Sequence, residues 1–409
     1  MPFSFHVRAF TPKTRGLAAA CLLTLLGACS SAPNTPYYQP SPVVYYDFEA
    51  DKHGDFNAYM RHTRQELSKH RVPLLPDQAQ QEIDQVAPFV LPRPSHCGAA
   101  TKGVLLVHGL LDSAYALKDI GRVLADQCAL VYGLLLPGHG TRAADLIDIH
   151  RAQWLEAVQF GVRALSQQTP DVTLVGFSLG GALATQVAWQ DPRVKRLVLL
   201  APALQVAYPL LSSQAVWLRY LRDWVDLDPP YMSVRYQSMP TQAVAQTYQL
   251  SRQLRANLSQ RPLEQPTFLL LAAQDLVIDA PTSLAVFSQN MPNPKSQAWV
   301  YGAMDKPSPD ARVRQIRVAD ERQKIVSYSH VTLPFSPQNP LFGEKGQHKE
   351  CGLHIGIVDA ADAQACLVST DNWKGEIGTN NKAQKPFQRL SYHPRFEDMM
   401  AAMSAFMAQ

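Results

Sequence analysis

Val172-Thr173-Leu174-Val175-Gly176-Phe177-Ser178-Leu179-Gly180-Gly181 is the stretch on which the reading of this chain turns. A short apolar run, 172–175, leads through Gly-x-Ser-x-Gly into a helical pattern over 182–189. Strand, tight turn and helix in that order place Ser178 on a strained bend. Gly176 and Gly180 keep side chains out of the crowded turn, and Gly181 lets the helix approach the strand. The Ser178 hydroxyl then stands at the strand's C-terminal end, beside a helix N-terminus whose dipole favours negative charge. Those are the surroundings of a nucleophile; the plainer alternative is a glycine-rich turn with a capping serine. Outward from this point, further apolar runs occupy 103–107, 130–136, 194–200 and 267–271, and 151–165 has helical spacing. The runs are apolar throughout and do not alternate, as strands covered on both faces require. Strand and helix in alternation predict an α/β fold with a mostly parallel sheet and right-handed crossovers.

Two more segments narrow the reading. Val104-Leu105-Leu106-Val107-His108-Gly109-Leu110-Leu111 is a buried-type strand ending in His-Gly. Leu135-Leu136-Pro137-Gly138-His139-Gly140-Thr141 is a turn followed later by Trp154. With the serine bend, these segments resemble the α/β-hydrolase family, in its monoacylglycerol-lipase and serine-aminopeptidase branch. The resemblance runs over about 103–290, is weak before 95 and loose after 302. It implies that the backbone N–H groups of Leu110 and Leu179 form the oxyanion hole, each such donor being worth ~10²–10³ in rate. His108 and His139 are then loop-forming and not the base.

The triad order Ser, Asp, His asks for an acid just past the strand that follows the cap. Thr267 to Ala273 leads to Asp275, which is taken as the acid; Asp279 is the rival and could instead cap the helix expected from Pro281. The base must follow a later strand. Lys324-Ile325-Val326-Ser327-Tyr328-Ser329-His330 is a strand-like run ending in Ser-His, and it resembles exported members of the family with an extended C-terminal loop after the base. His330 is chosen. Bare topology offers His393, just before the last helix, 396–407; His348 was also weighed, and His354, between two cysteines, reads as structural.

Residues 202–265 replace a simple crossover and read as a helical cap. Trp217, Tyr220, Leu221 and Trp224 fall on one helical face, which either lines an acyl pocket, touches lipid, or packs on the main domain. Residues 331–390 form a long elaboration beyond the base. Before the sheet, 56–70 has the spacing of an amphipathic helix, to which no chemistry is assigned.

The N-terminus reads as an address. Arg8, Lys13 and Arg15 precede an apolar run, 17–28, too short to span a bilayer. It ends in Leu26-Gly27-Ala28-Cys29, which resembles the lipobox of bacterial lipoproteins. That resemblance implies a signal peptide over 1–28, a lipid on Cys29 and, with Ser30 and no Asp after it, the outer membrane. Residues 29–46, rich in Pro and Ser, are expected to be an extended tether, and 47–409 the hydrolase domain. Of 38 Lys and Arg against 34 Asp and Glu, the three basic residues at the N-terminus leave 35 against 34. A balance of +1 argues against nucleic-acid binding. Four cysteines remain past Cys29. Cys97 and Cys128 each precede a strand at the same end of a parallel sheet, which favours that bond and leaves Cys351 for Cys366. No cysteine or histidine spacing suggests a metal, and no cofactor is implied.

The resulting expectation is a serine hydrolase cleaving a carboxylic ester of lipid or short acylglycerol type. Ser178 would attack, His330 take the proton and Asp275 orient the imidazole. Two alternatives stay open. One is an aminopeptidase, with Asp223, Asp226, Asp228 or Glu264 of the cap holding an α-ammonium. The other is a surface lipoprotein whose hydrolase fold only binds.

Overall fold

The computed structural model describes residues 32–304, 306–352, 359–378 and 384–409. The expected signal segment 1–28, Cys29 and His354 lie outside the described residues. Eight strands form the main sheet: β1 (Phe89–Val90), β2 (Lys102–Val107), β3 (Leu130–Gly133), β4 (Asp171–Phe177), β5 (Val194–Leu200), β6 (Thr267–Ala272), β7 (Gln297–Tyr301) and β8 (Val313–Ile316). Their order is β1-β3-β2-β4-β5-β6-β7-β8. Only β1 runs antiparallel to its neighbour; every other pairing is parallel. Six of the seven residues of β4 and all of β6 are buried, which explains why their sequences show no alternation.

The apolar run 130–136 yields a strand only as far as Gly133. Beyond it the backbone turns to side chains for partners: the Leu135 amide donates to the Tyr59 hydroxyl and the Leu136 amide to His108 Nε2. The run 324–330 is likewise no strand of the main sheet. Ile325 bridges to Asp320 and to Lys374, so this segment pairs with the C-terminal elaboration, and His330 opens a 3-10 turn, His330–Thr332.

Two expectations change more substantially. Residues 36–46 do not stand off as a tether. A 3-10 turn, Pro36–Tyr38, starts a segment that packs on the domain, with Tyr37 and Phe48 only 7% and 5% exposed. Ser41 donates to Asp145 from both its amide and its hydroxyl, and the Val44 amide donates to Glu66. The aromatic side chains outweigh the prolines here: Tyr46 and Phe48 join Tyr59 and Phe160 in one ring cluster, and such pairs add about 0.5–1.5 kcal/mol each beyond their buried area. In the cap, the helix Pro209–Leu218 ends before Tyr220, and Trp224 opens a short strand, Trp224–Asp226, paired with Met239–Pro240. Trp224 is buried while Trp217, Tyr220 and Leu221 are exposed, so the four do not share a face. The helix Thr241–Gln260 closes the cap.

Both expected disulfides are formed, Cys97–Cys128 and Cys351–Cys366. The first joins the entries of the parallel neighbours β2 and β3. Its 31-residue separation corresponds to about 3–4 kcal/mol in the chain-entropy account.

Candidate active site

The C-terminal ends of β2, β4 and β6 meet at one place on the sheet, where ligand sites of open parallel sheets form. Ser178 follows β4 directly and precedes the helix Leu179–Gln190, with φ 53° and ψ −118°. A serine in this conformation costs ~1–3 kcal/mol. The surroundings enforce it: a Cβ on Gly180 would lie 2.0 Å from the Val107 carbonyl oxygen, and one on Gly176 would lie 2.5 Å from that of Gly180. Helix and strands therefore meet backbone to backbone, and the Ser178 amide donates to Leu200 O at 3.0 Å.

His330 reaches the serine from the far side of the chain. Its Nε2 lies 3.0 Å from Ser178 Oγ, and its Nδ1 lies 2.7 Å from Asp275 Oδ2. Asp275 uses its other oxygen to accept from the amides of Val277 and Ile278, at 2.7 and 3.0 Å, which orient its carboxylate independently of the histidine. The ring of Phe177 lies 5.0 Å from that of His330. All three groups are buried. The 3-10 turn bearing His330 is held by Ser329 Oγ and Thr332 Oγ1, which both donate to Leu390 O. The His330 amide donates to Glu376 Oε2 at 3.1 Å.

Asp279, the rival acid, caps the helix Ala280–Asn290 by accepting from the Thr282 amide. His393, the rival base, is fully buried against Tyr301 and Tyr328. Burial pushes its pKa down to about 3. His348 makes no hydrogen bond to Ser178 or Asp275 among the described residues and has its ring 5.8 Å from that of Phe342.

Leu110 and Leu179 flank the serine from the β2 loop and the helix start. Among the described residues neither backbone N–H has a hydrogen-bond partner. The β2 loop is braced by two buried histidines. His108 Nε2 accepts from Leu136 N, and His139 Nε2 accepts from the amide of Leu111, whose φ is 66°. Trp154 Nε1 donates to Pro137 O and so fixes the loop bearing His139. Burial holds the His139 pKa down at about 4 and that of His108 well below its ordinary value, so both are neutral acceptors at neutral pH. The cap is tied to both sides of the site. Tyr236 N donates to Leu111 O, Ser113 Oγ donates to Val234 O, and Ala207 N donates to Val277 O beside Asp275. Among the described residues, the only cluster of histidine, cysteine or carboxylate at metal-ligand spacing is His96 with Cys97 and Cys128. Those two sulfurs are joined to each other.

Sequence reasoning missed Glu376, which sits 46 residues past His330 in a segment with no periodic pattern. Its sequence neighbours Lys374, Thr379, Asn380 and Asn381 read as a polar surface loop, so nothing in the sequence marks it.

The comparison with known families bears on the fold and the class of reaction. A model described as the alpha/beta hydrolase family matches residues 104–335, over half of the chain. The chain belongs to the α/β-hydrolase family. Among curated proteins, this hydrolase is 24% identical over 182 residues to a thermostable monoacylglycerol lipase of Bacillus sp. (strain H-257), covering 43% of this chain and 71% of the relative. Among solved structures, it is similar to a metagenome-derived lipolytic enzyme, with 18% identity, a TM-score of 0.47, and coverage of 53% of this chain and 87% of the other. It is also similar to the monoacylglycerol lipase of Paleococcus ferrophilus, with 16% identity, a TM-score of 0.43, and coverage of 52% and 87%. The N-terminal segment and most of the C-terminal elaboration fall outside the family match.

Proposed function

We propose that this α/β hydrolase cleaves carboxylic esters of lipid or short acylglycerol type through an acyl-enzyme on Ser178. The observation that carries the proposal is the unbroken hydrogen-bond line Ser178–His330–Asp275. In the first half-reaction His330 Nε2 removes the Ser178 proton as Oγ attacks the ester carbonyl. Asp275 holds the other ring nitrogen and stabilises the imidazolium. The Leu110 and Leu179 amides donate to the oxyanion, and the imidazolium returns its proton to the departing alkoxide. Water then repeats the sequence on the acyl-enzyme and releases the acid. Each step uses a group within hydrogen-bond reach of the next.

An apolar substrate is favoured by the cap. Leu210, Leu211, Trp217, Tyr220 and Leu221 are exposed on and just past its first helix, Leu221 by 86%. So dense a cluster on a soluble surface marks a site of interaction with apolar matter. The curated relative is a monoacylglycerol lipase, which supports the same class. The assay is hydrolysis of monoacylglycerols and p-nitrophenyl esters of graded chain length, beside aminoacyl amides, with fluorophosphonate labelling of the reactive serine. Labelling and ester turnover, both lost in Ser178→Ala, are expected. Preferential cleavage of aminoacyl amides would reassign the substrate to an N-terminal amine, and absence of labelling would leave a fold used only for binding.

We further propose that the protein is held at the bacterial outer membrane by a lipid on Cys29. With Pro36–Tyr38 packed on the domain, the free reach between anchor and fold is short, which keeps the apolar cap close to the lipid surface. Cys29→Ser should give an unlipidated protein, either soluble or left uncleaved; a cleaved form of the variant retained on membranes after a carbonate wash would refute the anchor.

A further inference from the structure

Five ionisable side chains that the reaction above does not use lie end to end beside the triad. Arg235 Nε is 3.5 Å from Asp112 Oδ1, and Arg235 Nη1 donates to Glu350 Oε1 at 2.8 Å. Arg389 Nη1 is 3.4 Å from the second oxygen of Glu350, and Arg389 Nε donates to Glu376 Oε1 at 2.8 Å. Glu376 Oε2 accepts the His330 amide. None of the five side chains is more than 18% exposed. They come from three separate parts of the chain. Asp112 lies in the loop that carries Leu110, Arg235 in the cap, and Glu350, Glu376 and Arg389 in the C-terminal elaboration. The string therefore runs from the oxyanion loop to the histidine turn.

Burying three carboxylates and two guanidiniums is expensive, and a buried ionic network is weak evidence for stability. What such a network does is fix geometry, because each member is stable only with its neighbours in place. The His330 turn needs that. It is short, it pairs with no strand of the main sheet, and its amide faces the interior, where an unpaired N–H is costly. The imidazole must nevertheless meet Ser178 Oγ at 3.0 Å and Asp275 Oδ2 at 2.7 Å together.

We propose that Glu376 is a positioning residue for His330, and that the ionic string Asp112–Arg235–Glu350–Arg389–Glu376 sets the histidine in register with the oxyanion loop and the cap. This rests on the reading of His330 as the base. A misplacement of about 1 Å at a catalytic group costs ~10²-fold in rate, so the effect falls on kcat. The test uses the whole protein, a short p-nitrophenyl ester, and the variants Glu376→Ala, Glu376→Gln and Arg389→Lys, beside His330→Ala. Glu376→Ala is expected to lower kcat roughly 10–100-fold with KM nearly unchanged. Glu376→Gln keeps a carbonyl oxygen for the His330 amide but gives up the charge paired with Arg389, and is expected to recover part of the rate. Arg389→Lys keeps the charge but loses the planar fork that spans two carboxylates. It is expected to lower kcat several-fold, and it decides the matter if Glu376→Ala does not fold. Wild-type kcat in Glu376→Ala or Arg389→Lys, with only the melting temperature lowered, overturns the proposal. So does a Gln variant as slow as the Ala variant. Turnover surviving in His330→Ala refutes the assignment of the base; an inactive His330→Ala beside a fully active Glu376→Ala refutes the positioning role alone.

Discussion

Replacing His393 by asparagine should remove part of the protein's acid lability and leave ester hydrolysis intact. The native ring is fully buried, its Nδ1 accepts from the Arg395 amide at 3.2 Å, and its Nε2 has no hydrogen-bond partner. With Nδ1 accepting, Nε2 carries the neutral ring's proton. A second proton would have to go on Nδ1, against the Arg395 amide, and would place a charge in an apolar slot between Tyr301 and Tyr328, so desolvation depresses the pKa to about 3. An unfolded chain binds that proton near pH ~6.5. Because the folded value is the lower one, the contribution to stability is fully present above ~6.5 and is lost as pH falls toward about 3. Between pH 7 and 5 the loss from this one group is about 2 kcal/mol. Asparagine supplies an oxygen where Nδ1 accepts and carries no titrating proton. It gives up ring contacts, at about 1–2 kcal/mol near neutral pH. Urea unfolding of both proteins at pH 7 and pH 5 measures the difference directly. The variant should lose about 2 kcal/mol less than wild type over that interval; an identical loss in both proteins would show that His393 does not titrate in the unfolded-to-folded difference. Its turnover above pH 7 should remain near wild type. A collapse as deep as that of His330→Ala would transfer the base to His393.

The remaining expectations are simpler. Ser178→Ala should cost ~10³-fold or more in kcat with an unchanged fold, measured by ester turnover and circular dichroism. Gly180→Ala drives a Cβ to 2.0 Å from the Val107 carbonyl, backbone that cannot step aside. It should destabilise by about 1–3 kcal/mol and slow turnover, read from thermal melting and kcat together. Leu211→Ser combined with Leu221→Ser alters exposed cap positions. It should reduce hydrolysis of emulsified long-chain acylglycerol and spare a soluble short ester; equal loss on both would show that these residues serve the fold.

The nucleophile bend and the sheet were legible because their signals are contiguous: a buried strand, a glycine-framed turn and a helix fit within 171–190. Asp275 follows from chain order once Ser178 is fixed. Chain order alone favours His393 as the base, and His330 rests on the resemblance of its Ser-His run to exported family members with an extended C-terminal loop. The prolines of 29–46 were read as stiffness, but Tyr37, Tyr46 and Phe48 decide that segment by packing. Trp224 followed a helical spacing that stops at Leu218, because its backbone finds a strand partner in Pro240. The string from Asp112 to Glu376 had no signature at all. Its members are scattered along the sequence and meet only through the fold, and isolated charges usually denote solvated surface.

The route by which His330 is held also bears on which part of the chain completes the site. The bend at Ser178 is closed by Leu200 O, so it needs little beyond the first half of the chain. The turn bearing His330 waits for Glu376 and for Leu390 O. A chain holding Ser178, Asp275 and His330 but ending before Glu376 would lack the acceptors that hold the histidine turn. On the proposed reading of His330 as the base, aligning the triad is therefore a task of the C-terminal elaboration, most of which lies beyond the family match at 104–335.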